Sequence, residues 1–141
     1  MRLFELLKEL LDDGGIPFEE QDDTIQFSVL CGGHRWQAAF AEDSESFLKY
    51  YARYPWAVPK EREADVLKTL NALNSTLRAG CFMIHKSFVL FRYGVYIFDE
   101  FTAKESMTDL LLSAVARTEA AWEDVYSAVE RGKYDVKIKA E

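Results

Sequence analysis

Residues 67–92 read LKTLNALNSTLRAGCFMIHKSFVLFR, centred on Leu70-Asn71-Ala72-Leu73-Asn74 and Arg78-Ala79-Gly80-Cys81-Phe82. An amphipathic helix ends here, Gly80 opens a strand, and a long apolar run begins. Upstream, Pro59 suits the first position of that helix, and Glu61 and Glu63 are favourable near its positive dipole end. The helix is expected over 59–77, burying Ala64, Leu67, Leu70, Leu73 or Asn74, and Leu77. Asn71 and Asn74 lie one turn apart, and Asn side chains compete well for local backbone groups, so they are expected to tie the helix end to the next strand. Downstream, strands over 79–85 and 88–97 are joined by a tight turn near Lys86-Ser87. Both faces of these strands are apolar. An antiparallel sheet with helices on one face should be polar on the other, so these strands call for a further cover.

Towards the N-terminus, Leu3, Leu6, Leu7, Leu10 and Leu11 recur at helical spacing, and a helix is expected over 2–12, ended by Gly14-Gly15. Pro17 makes 16–20 a short edge strand. In 24–30, Ile25, Phe27 and Val29 alternate with Gln26 and Ser28; Gly32-Gly33 signals a hairpin; and 35–41 returns with Trp36, Ala38 and Phe40 inward. A third run, 47–54, places Leu48, Tyr50, Ala52 and Tyr54 on one face. Phe47, Lys49, Tyr51 and Arg53 form the other, mixed face, read as the outer one, with Pro55 ending the strand.

The last third is helical. Thr102 with Glu105 three residues on fits a capping box, and one long stripe from Met107 to Val129 ends at Gly132. The expected organisation is a single α+β domain over 1–132: helix, three-strand antiparallel meander, helix, two or three further strands, and a long C-terminal helix. Residues 133–141 are expected to be a short flexible tail.

At 141 residues, with ten Phe, seven Tyr and three Trp, the chain is a folded domain able to bury about two-thirds of its unfolded surface. The 17 basic and 24 acidic residues leave a formal charge of −7 with no Lys/Arg cluster along the sequence, which argues against a nucleic-acid partner. Charges within the first nine residues do not fit a signal peptide, and no apolar run is long enough to span a bilayer. A cytoplasmic protein with no membrane partner is expected. Its two cysteines, Cys31 and Cys81, are read as buried free thiols.

The chemistry-bearing residues are few. Cys31, His34, Cys81 and His85 match a tetrahedral zinc site in number and type. They belong to different hairpins and nothing in their spacing forces them together, so buried thiols and turn histidines are the plainer reading. Cys81 with His34 or His85 suggests a nucleophile and base, but apolar burial makes a thiol inert. The run Glu19, Glu20, Asp22, Asp23 lacks the spacing of a calcium loop. No catalytic residue and no cofactor is assigned, and no enzyme is expected.

With this element order, Tyr54-Pro55 and Val58-Pro59 precede the second helix, Leu70-Asn71, Asn74 and Leu77 lie along it, Gly80-x-Phe82 opens the next strand, and Val89-Leu90-Phe91-Arg92 follows. On these residues the chain resembles the YbjN family, described as putative bacterial sensory transduction regulators, whose fold is similar to that of type III secretion chaperones. The aromatic run Tyr93-Gly94-Val95-Tyr96-Ile97-Phe98 departs from that pattern. The resemblance implies a non-enzymatic, homodimeric protein-binding module, chaperone-like or regulatory, whose partner is another protein or a second copy. Its partner or dimer surface is expected at Tyr51, Arg53, Met83, Phe91 and Tyr93, with Met83 and Phe91 tolerating a charge without unfolding. The alternative is a small-molecule or metal-binding sensor with a pocket between sheet and helices.

Overall fold

The computed structural model describes residues 3–44 and 46–131. The order is α1 (Leu3–Asp13), β1 (Glu19–Gln21), β2 (Thr24–Cys31), β3 (His34–Ser44), β4 (Phe47–Ala57), a 3-10 turn over Lys60–Arg62, α2 (Glu63–Asn74), β5 (Cys81–His85), β6 (Phe88–Tyr96), α3 (Ala103–Ala120) and α4 (Trp122–Arg131). The six strands form one antiparallel sheet in the order β1-β2-β3-β4-β6-β5. The α+β architecture is the expected one, with the meander flanked by a short edge strand.

Alternation decides which face is buried. Ile25 and Phe27 of β2, Trp36, Ala38 and Phe40 of β3, and Leu48, Tyr50, Ala52 and Tyr54 of β4 are all buried on one face. Leu3, Leu7 and Leu11 of α1 and Met107, Leu110 and Ala114 of α3 complete the same core. α1 packs on α3, α3 crosses β6, β4 and β2, and α4 covers β4 and contacts α2, which flanks β5. The helices thus lie on one side of the sheet.

Several local expectations are revised. Pro55 does not end the third strand: β4 continues to Ala57 through an irregularity between Arg53 and Ala57, which accommodates a residue that cannot donate to the ladder. α2 stops at Asn74 and buries Val66, Thr69, Leu70 and Ala72, leaving Ala64 exposed and Leu67 49% exposed. The long C-terminal stripe divides at Ala121 into two helices, so Trp122 turns into an aromatic cluster with Trp36, Tyr54 and Trp56. Thr102 is the N-cap of α3 but makes no side-chain capping bond, so the capping box does not form. Gly132 and the tail 133–141 lie outside the described residues.

Asn74 behaves as expected. Its side chain accepts from the Phe82 backbone N–H at 2.7 Å and donates to the Phe82 carbonyl at 3.0 Å, fastening the end of α2 to β5.

Tyr50 is fully buried, and its hydroxyl has no hydrogen-bond partner. Burial pushes its pKa up to about 12; nearby Trp36 Nε1 eases the shift without forming a bond of proper geometry. Below pH 10 both folded and unfolded chains keep this proton. Between pH 10 and 12 the unfolded chain loses it while the fold retains it, so stability falls by roughly 2–3 kcal/mol across that window. Tyr50→Phe removes both the unsatisfied hydroxyl and the titration. Its urea midpoint at pH 8 should equal or exceed that of the unmodified protein, and its decline above pH 10 should be smaller. An equally steep decline would show that Tyr50 is not the group responsible.

Candidate functional site: the open face of the sheet

Strand pairing arranges the side chains opposite the helices into rows. One row runs Gln26, Ala39, Tyr51, Arg92, Cys81, and the next runs Ser28, Gln37, Arg53, Leu90, Met83. Among the described residues no helix packs on these rows. Tyr51, Leu90, Met83 and Cys81 are half-buried by their neighbours, whereas Arg53 and Arg92 are exposed. Gln26, Gln37, Ala39, Tyr51 and Arg53 line an open depression of about 450 Å³, above the small side chain of Ala39. The Arg53 guanidinium lies 4.7 Å from the Phe88 ring centroid. Such stacking leaves the guanidinium N–H edges able to bond outward.

The expected surface residues therefore divide. Tyr51, Arg53 and Met83 share the open face. Phe91 does not: it pairs with Ala52 and Phe82 on the helix side, is fully buried, and its ring lies 4.9 Å from that of Phe82. It is a core residue. Tyr93 has the same parity as Phe91 and lines a groove with Ser106, Asp109 and Leu110 of α3. Leu90, absent from the expected set, takes the place assigned to Phe91. Alternation could not separate the two, because both faces of β6 are apolar.

The metal candidates are not assembled. Cys31 packs against the core near the first hairpin turn, and His34 starts β3 on the helix side. Cys81 and His85 lie on β5, at the other side of the sheet and on its open face. β2 and β5 are four strand spacings apart, about 19 Å. No cluster of three metal-ligating side chains occurs among the described residues. His34 instead joins the hairpin to the helices. Its Nδ1 lies 3.0 Å from a Glu119 carboxylate oxygen, and its ring stacks on Trp122 with centroids 4.3 Å apart. The carboxylates Glu19 and Glu20 form the edge strand β1, where Glu20 pairs with Lys8 at 2.8 Å.

The two sheet edges differ. β1 is three residues long and carries two glutamates, both of which discourage pairing with another chain. β5 presents Met83 and Ile84 beside Leu67 and Asn71 of α2 across an open groove. No described helix is long and apolar enough to cross a membrane.

Residues 4–130 match the family model YbjN, "Putative bacterial sensory transduction regulator". No curated protein matches the chain. Among solved structures, YbjN from E. coli superposes with a TM-score of 0.66 at 12% identity, over 88% of this chain and 90% of that one. A chain of the ExoT-SpcS complex from Pseudomonas aeruginosa gives 0.54 at 14% identity, over 84% and 97%. The Yersinia pestis type III secretion chaperone SycH, solved with a stable fragment of YscM2, gives 0.51 at 17% identity, over 84% and 98%. At these identities the structures establish a shared fold.

Proposed function

The chain belongs to the YbjN family, and from that premise we propose that it is a non-enzymatic, cytoplasmic protein-binding module, chaperone-like or regulatory, that acts as a homodimer. The observation that carries this reading is the sheet face bearing Tyr51, Leu90 and Met83, which the four described helices leave open. Half-buried apolar side chains on such a face gain from burial against a partner segment. Two of the structures sharing the fold were solved with protein partners, ExoT for one and a YscM2 fragment for the other. The free thiols of Cys31 and Cys81 agree with a reducing compartment.

Self-association is assigned to the β5 edge. Its backbone groups face outward and its apolar residues adjoin the exposed Leu67, so two copies can continue the sheet and bury these side chains together. Light scattering across a dilution series should give twice the 16.3 kDa chain mass. Met83→Asp should weaken that association about tenfold or more with an unchanged circular-dichroism spectrum. A monomer at every concentration would overturn the dimer. A Met83→Asp variant that stays dimeric would move the seam elsewhere.

A further inference from the structure

The open face has a charge opposite to that of the chain. The protein carries a formal −7, yet on the open face of β2 to β6 the described ionic side chains are Arg35, Lys49, Arg53 and Arg92, with no carboxylate among them. The described carboxylate on this face is Glu19, opposite Gln26 on the edge strand β1 and at the far end of the row from Arg92. Glu42 of β3 pairs with Leu48 on the helix side, and the other described acidic side chains lie on the helices, in the turns and at Glu20 of β1, so the described charge of the open face stays positive. Along the sequence these cations are 35, 49, 53 and 92, and only the pairing of β3, β4 and β6 gathers them. No described carboxylate forms an ion pair with Arg35, Arg53 or Arg92.

The spacing is also defined. Arg53 pairs with Leu90 and Arg92 with Tyr51, so the two arginines are diagonal neighbours, with backbones about 7–8 Å apart. Alternate residues of an extended chain, which point to the same side, lie about 6.6 Å apart. An extended segment with carboxylates at alternate positions can therefore meet both guanidinium groups at once. Its flanking apolar side chains then meet Tyr51, Leu90 and Met83. Arginine suits this role because its planar fork binds a carboxylate through two parallel hydrogen bonds.

We propose that the open face captures an acidic, apolar-flanked extended segment of a partner protein, with Arg53 and Arg92 selecting the carboxylates. The inference rests on the protein-binding reading above and adds the chemistry of the partner.

The test uses three fluorescein-labelled peptides that share Leu and Phe flanks and carry Glu, Gln or Lys at two alternate central positions, together with a single-stranded oligonucleotide. Fluorescence anisotropy should show the Glu peptide binding about tenfold tighter than the Gln peptide, with the preference shrinking as salt rises. The double variant Arg53→Glu, Arg92→Glu should lose the Glu peptide and gain the Lys peptide while keeping its circular-dichroism spectrum. Equal binding of the Glu and Gln peptides would overturn the charge selection and leave the protein-binding reading standing. Tighter binding of the oligonucleotide than of the Glu peptide, lost in the double variant, would make the face a nucleic-acid surface and overturn the proposal. Binding of no peptide would overturn it as well and, together with a monomeric native mass, would overturn the protein-binding reading too.

Discussion

Phe91→Asp should abolish the folded state. Phe91 is fully buried between β4 and β5, against Ala52 and Phe82. Removing a core phenyl ring costs roughly 3–5 kcal/mol. The introduced carboxylate would sit among apolar side chains on the helix side, and burying it unpaired adds several kcal/mol more. That total is comparable to the roughly 5–15 kcal/mol that holds a domain of this size together. Circular dichroism and a urea titration should show no cooperative transition. Met83→Asp, one strand away but of opposite parity, should retain one. Native-like unfolding of Phe91→Asp would mean that the face assignment of β6 is inverted.

The second large effect is expected at Gly80, the residue that opens β5. Its φ is +81°, a backbone conformation that disfavours any side chain. A Cβ there would lie 2.8 Å from Phe91 Cζ and 2.9 Å from the Arg92 carbonyl oxygen. The carbonyl belongs to the residue that pairs with Cys81, so it cannot retreat without opening the β5–β6 ladder. Conformational cost and overpacking together predict a loss of about 2–5 kcal/mol for Gly80→Ala. Gly33 is the internal control, with φ of +80° and open space within 4 Å of where a Cβ would sit. Gly33→Ala should incur only the conformational part, about 1–2 kcal/mol. Urea midpoints of the two variants separate the contributions. Equal losses would show that the contact with Phe91 and Arg92 carries no weight.

Gly80 also bears on the proposed association. It sets the start of β5, and β5 supplies both Met83 and the apolar edge. A Gly80→Ala protein that still folds should therefore show faster amide exchange in β5 and a weaker dimer, while β2 to β4 keep their protection.

The sequence by itself determined the element order and the inner face of the meander. In β2, β3 and β4 an apolar residue alternates with a polar or mixed one, and in an antiparallel sheet that alternation has a single buried solution: Trp36, Phe40, Tyr50 and Tyr54 must face the helices. It also placed Tyr51 and Arg53 on the outer face, and Asn74 at the junction of helix and strand. Only the tertiary structure decided the remainder. Phe91 and Leu90 are equally apolar, so periodicity carries no information about which points inward; the register of β6 on β4 settles it, and that is a contact between distant parts of the chain. The break at Ala121 is likewise set by where Trp122 packs. The open cationic face has the same origin. Arg35, Arg53 and Arg92 are ordinary surface residues one at a time, and their charges add only because three strands lie side by side.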